Sequence, residues 1–134
     1  MASSVLDASA LLAYLQGERG SEQVRDAIGE GAAISAANWA EVLSKLVEAG
    51  EDAVTLAGRL EREGLIADAV KVVPLTAEDA LAIAQLRQAT RAAGLSLGDR
   101  ACLALGRRLG LPVLTTDRAR NDLALTGITV RAIR

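Results

Sequence analysis

Residues 111–123 read L-P-V-L-T-T-D-R-A-R-N-D-L. The run Pro112 to Thr115 has the make-up of a short buried strand, and it ends on two threonines and a carboxylate, Asp117, ahead of a polar stretch with two arginines. The amino-terminal end repeats this arrangement: Ser4-Val5-Leu6 is a short strand that stops at Asp7. In a parallel α/β sheet the functional crevice lies off the carboxyl ends of the strands, where strand order reverses. Both aspartates would therefore face one crevice if these two strands are neighbours.

Working outward, A-S-A-L-L-A-Y-L after Asp7 predicts a helix through about Leu15. A second helix is expected from Ser21, a candidate N-cap, with Val24 and Ile28 one turn apart and an end at Gly29 and Gly31. A-A-I-S, residues 32–35, follows as a strand. From Ala37 to Ala49 the positions Trp39, Val42, Leu43, Leu46 and Val47 share one helical face, and Gly50 is the stop. A helix over about 51–63 ends at Gly64, and A-V-K-V-V-P-L, residues 69–75, is a strand closed by Pro74. Thr76-Ala77-Glu78-Asp79 has the form of a capping box, opening a helix to about Ala93 with Gly94 as its C-cap. Ser96-Leu97-Gly98-Asp99 opens another, which ends at Gly110, and residues 128–133, I-T-V-R-A-I, alternate like a fifth strand. Strands alternating with helices predict a single α/β domain over residues 1–134, with a parallel sheet covered on both faces.

The chain is 134 residues long with 51% hydrophobic and 24% charged residues, enough for one core and outside the disordered range. No stretch has the roughly 20 apolar residues of a membrane span, and no signal peptide is recognised, so a cytoplasmic location is expected. The absence of histidine excludes imidazole catalysis, Ser-His-Asp triads and the common His-built zinc sites. One tryptophan, one tyrosine and no phenylalanine are too few rings for base-stacking platforms, so any nucleic-acid contact must be mainly electrostatic. The net charge of -2 conceals an asymmetry. Residues 1–86 carry 6 Lys/Arg against 14 Asp/Glu, and residues 87–134 carry 9 arginines against 3 aspartates. The single cysteine, Cys102, reads as a small core residue.

Two further acids stand out. Glu41 lies in N-W-A-E-V-L-S-K-L, flanked by residues of an apolar face, although it would equally pair with Lys45 one turn on. Asp99 lies in the first turn of its helix, where it completes a capping box with Ser96. For Asp7 and Asp117, too, helix capping alone is an alternative to a role in the crevice.

Taken together, L-D-A-S-A-L-L-A-Y-L (6–15), N-W-A-E-V-L (38–43) and L-S-L-G-D-R-A-C-L-A-L-G-R-R-L-G-L-P-V-L-T-T-D-R-A-R (95–120) resemble the PIN-domain family, and more narrowly the VapC-type ribonuclease toxins of bacterial toxin-antitoxin pairs. The resemblance spans residues 4 to about 123. It implies a three-layer fold with a five-stranded parallel sheet of order 3-2-1-4-5 and helices on both faces. It also implies a catalytic and metal-binding set of Asp7, Glu41, Asp99 and Asp117 that holds one or two Mg²⁺ or Mn²⁺ ions and cleaves RNA phosphodiester bonds with metal-activated water. Ser9, Thr115 and Thr116 match hydroxyl positions that line the family's site. A VapB-like antitoxin and a homodimer are the partners it implies. Near Arg120 and Asn121 the family often carries an aromatic or large apolar residue, and this sequence does not.

The chemistry of the side chains points the same way. Clustered carboxylates raise one another's pKa, and a divalent cation removes the conflict. Oxygen-only ligands select hard ions such as Mg²⁺ or Mn²⁺. Arg100, Arg118 and Arg120 lie beside the acids in sequence and are candidates for flanking phosphates, or merely for balancing helix charge. A receiver domain would need a late lysine, but none follows Lys71, and an aspartate-nucleophile phosphatase would need D-x-D where this chain has D-A-S. A PIN-fold RNA-processing nuclease without an antitoxin and a catalytically silent interaction module of the same fold remain as alternatives.

Overall fold

Successive residues of the first strand enter two different cores, because side chains of a strand alternate between its faces. In the computed structural model, which describes residues 1–134, Leu6 of β1 (Ser4–Leu6) packs with Leu11, Val24, Ile34, Val42, Leu56, Leu60 and Val70. Val5 packs on the other side with Ile83, Leu86, Leu103, Leu105 and Val113. The first core is covered by α1 (Ala8–Leu15), α2 (Ser21–Gly29), α3 (Ala36–Glu48) and α4 (Ala53–Arg62). The second is covered by α5 (Ala77–Ala89) and α6 (Leu97–Leu109). The result is the expected three-layer α/β architecture.

The sheet has five strands in the order β3-β2-β1-β4-β5, every pair parallel. The remaining strands are β2 (Ala32–Ser35), β3 (Val70–Val73), β4 (Val113–Thr115) and β5 (Val130–Ala132). β1 is flanked by β2 and β4, with Leu6 opposite both Ile34 and Leu114. The neighbouring of the first and fourth strands, on which the shared crevice depends, is thus present. α6 lies close on the sheet because Gly106 has no side chain: a Cβ there would stand 2.5 Å from Val113 Cγ2. No helix is long and apolar enough to cross a membrane.

The observed elements differ from expectation at two boundaries and on one helical face. The N-cap of α2 is Gly20, at φ 98°, and Ser21 is the first helical residue, so that end has no side-chain cap. A Cβ on Gly20 would meet the Ile133 carbonyl oxygen at 2.8 Å, so the chain needs a glycine there. α5 stops at Ala89, short of Ala93, because the Thr90 hydroxyl donates to the Leu86 carbonyl at 2.6 Å and the chain tightens into a 3₁₀ turn, Arg91–Ala93, before Gly94. The buried face of α3 is centred on Asn38, Val42 and Leu46; Val47 at its edge is 46% exposed. Between α5 and α6, Arg108 clamps the buried Asp79 with two bonds of 3.0 Å, and Asp79 also completes the capping box with Thr76.

Candidate active site

Each of the three candidate aspartates follows a strand or opens a helix, and each divides its two oxygens between two tasks. Asp7 ends β1 and N-caps α1: its Oδ1 accepts from the Ala10 amide at 2.8 Å and from the Ser9 hydroxyl at 2.6 Å. Asp99 sits in the first turn of α6, where its Oδ2 accepts from the Ser96 amide at 2.9 Å while the Ser96 hydroxyl accepts from the Asp99 amide. Asp117, after β4, caps a 3₁₀ turn (Arg118–Asp122), its Oδ1 accepting from the Ala119 amide at 2.9 Å. Capping and crevice therefore are not alternatives. Asp7 Oδ2, Asp99 Oδ1 and Asp117 Oδ2, the oxygens left over, all turn to one group, the guanidinium of Arg120.

The distances are 3.2 Å from Nη1 to Asp7, 2.8 Å from Nη2 to Asp99 and 3.4 Å from Nε to Asp117. The Arg120 side chain is 21% exposed, and its Nε is buried without a well-formed hydrogen bond. No three acidic side chains close to ligating distance around a common point; the Arg120 guanidinium stands between the aspartates. Placed this way, Arg120 faces the acids and not a flanking phosphate.

Glu41 arrives from a different element and is held differently. It projects from α3, where Asn38 Nδ2 donates to Glu41 Oε1 at 3.3 Å and to the Gly98 carbonyl at 3.0 Å, joining α3 to the start of α6. Gly98 makes room for it, since a Cβ on Gly98 would occupy the place of Glu41 Oε1. A small pocket of about 170 Å³ is lined by Asp7, Ser9, Asn38, Glu41, Asp99 and Arg120, among others; Asp117, 48% exposed, is not in its lining and joins the group through its contact with Arg120.

Burial pushes the Asp7 carboxyl above its ordinary pKa, more than the hydroxyls of Ser9 and Thr115, the Ala10 amide and the Arg120 charge bring it down. Glu41 is raised as well, first by burial and then by the negative charge of Asp99, with Asn38 partly offsetting. By formal count, four carboxyl groups and one guanidinium leave the site acidic even with Arg120 in place. The hydroxyl positions form a support behind Asp7. Ser9 Oγ accepts from the Thr116 amide at 3.0 Å and lies 3.5 Å from Thr115 Oγ1, which accepts from the Asp117 amide at 3.1 Å. Thr116 takes part through its backbone.

Two of the arginines are placed elsewhere. Arg100 is buried beneath α5 with Nη1 donating to the Ile83 carbonyl at 2.8 Å, which corrects its expected reach toward a phosphate. Arg118 donates through Nε to the Arg134 carbonyl at 2.6 Å. Sequence reasoning overlooked Asn38 and Gly98. The first was legible as an amide on the same helical face as Val42 and Leu46, and the second as a glycine inside the first turn of a helix, a mark of close approach. Cys102 lies fully buried beneath the site, its thiol pKa pushed well up by burial, and is chemically quiet.

The sequence model of one family, described as PIN domain, matches residues 4–124. No curated protein matches the chain in sequence. Among solved structures, a toxin-antitoxin complex from Klebsiella pneumoniae superposes with a TM-score of 0.72 at 20% identity, covering 95% of this chain and 96% of that one. DNA-bound VapBC from Salmonella typhimurium gives a TM-score of 0.71 at 14% identity over 100% of both chains. VapBC-5 of Mycobacterium tuberculosis gives 0.63 at 22% identity over 98% and 99%.

Proposed function

Because this chain belongs to the PIN-domain family, we propose that it is a Mg²⁺- or Mn²⁺-dependent endoribonuclease, and the cytoplasmic toxin of a toxin-antitoxin pair. The observation that carries this is the convergence of one free oxygen from each of Asp7, Asp99 and Asp117 on a single positive charge, with Glu41 alongside. Such a set is built to hold a cation. Its donors are all oxygen, which suits a hard dication, and four carboxyl groups gathered at one place would be balanced by two positive charges better than by one. The residues therefore fit the metal of this family.

A bound dication lowers the pKa of water and neutralises charge building on the phosphoryl group. The chain's own contribution is orientation. Ser9 and the Ala10 amide fix Asp7 Oδ1 so that Oδ2 projects into the pocket, and Asn38 fixes Glu41 Oε1 against the start of α6. Glu41, with its raised pKa, is the acid best suited to exchange a proton with water or a leaving oxygen. The VapBC toxin-antitoxin structures that share this fold support an antitoxin partner. Its seating across this crevice with a basic side chain among the acids, and a homodimer of the toxin chain, are part of the same proposal.

With Mn²⁺, purified protein is expected to cleave structured RNA, while the Asp7→Asn form is not; removing one ligand of this kind lowers turnover by about 10²-fold or more. Equal activity in the two would refute the nuclease assignment. Expression without a partner protein is expected to arrest growth, and unimpeded growth would remove the toxin assignment.

A further inference from the structure

We propose that Arg120 is a built-in counter-cation: it occupies the carboxylate pocket in place of the dication, and its guanidinium must swing out before a metal ion enters. The inference rests on the metal-site assignment above and concerns what guards that site.

The geometry is specific. Three nitrogens of one guanidinium each address a different aspartate, and each contact uses the oxygen that capping leaves free. These are the oxygens a metal ion would need, so the two occupants exclude each other. The backbone that carries Arg120 is held at both ends. Asp117 caps the 3₁₀ turn through the Ala119 amide, and Asn121 Oδ1 accepts from the Ala132 amide at 3.2 Å, tying the turn to β5. Displacement must therefore be a rotation of the side chain, since the guanidinium cannot be neutralised by losing a proton.

The fit is also imperfect. Arg120 Nε stands 3.4 Å from Asp117 Oδ2 without a hydrogen bond, and a single guanidinium faces three aspartates at once. A guanidinium that fills but does not saturate the pocket holds the carboxylates in place without binding so well that a dication is shut out. For a site that is open only a fraction of the time, apparent affinity falls by that fraction, so a plug absent for about 1–10% of the time weakens metal binding about 10- to 100-fold.

Calorimetric titration of the intact protein with Mn²⁺ tests this independently of RNA cleavage. Arg120→Met is expected to bind Mn²⁺ at least about tenfold tighter than the unmodified chain, with Arg120→Lys, a cation of different shape, falling between. Equal affinity in all three overturns the plug and leaves the metal site standing. Binding by none of the three overturns both. A readout that needs no variant is the Arg120 Nε–H nuclear magnetic resonance of the unmodified protein. It should shift in step with Mg²⁺ saturation, and a signal that stays fixed while Mg²⁺ binds overturns the displacement.

Discussion

Asp7 shows how one side chain serves structure and site at once, and why that has a cost. One oxygen caps α1 and the other faces Arg120, yet burial leaves the carboxyl with a raised pKa. The folded chain thus holds this proton to higher pH than the unfolded chain does. The stability Asp7 contributes is fully present below the unfolded value near 3.8 and is lost as pH rises through the folded value. Metal-free Asp7→Asn, which keeps an acceptor for the cap, is accordingly expected to be more stable than the unmodified protein at pH 7.5, by on the order of 1 kcal/mol. The two should converge near pH 4, and urea denaturation at the two pH values measures the difference. At this scale the sequence exposed the four acids but not their sharing: capping and function were read as competitors, because spacing along a chain does not reveal that a carboxylate has two separable oxygens. The charge that gathers three of them, Arg120, was legible only as a candidate phosphate contact beside the acids and a departure from the family pattern, not as their shared partner.

Elements rather than residues decide where Glu41 goes. α3 and α6 meet through the Asn38 bridge to the Gly98 carbonyl, and the bare Gly98 is what admits the Glu41 carboxyl between them. Gly98→Ala should leave the fold intact, since glycine in a helix is about 0.5–1 kcal/mol worse than alanine and the atom displaced is the free end of a flexible side chain. It should nonetheless lower RNA cleavage by about tenfold or more, because it evicts an acid from the pocket. Cleavage at full rate by a folded Gly98→Ala protein would remove Glu41 from the active set. Helix ends with explicit signals, such as the starts at the Thr76 and Ser96 capping boxes and the stop at Gly110, lie within a residue or two of where they were expected. The misplacements at Thr90 and Gly20 come from interactions that local pattern does not encode: a hydroxyl bonding back to the preceding turn, and a glycine pressed against the carbonyl of Ile133.

Across the whole molecule, one parallel sheet with two cores brings together acids that lie as far apart in sequence as Asp7 and Asp117. Sheet order was legible only through family resemblance, because nothing local in five short strands states which lies beside which. A cation that binds the folded pocket and not the unfolded chain must stabilise the molecule as a unit. Mn²⁺ at about a hundred times its dissociation constant should add about 2.7 kcal/mol, seen as a rise in the melting temperature that Asp7→Asn and Asp99→Asn lose. No rise with Mn²⁺ in the unmodified protein would count against the metal assignment. The double duty of the three aspartates also decides how an inert copy should be made for trapping RNA or a partner protein. Asparagine in their place keeps an oxygen for the helix start and gives a well-folded bait. Alanine forfeits about 1 kcal/mol at each position and would let misfolding pass for inactivity.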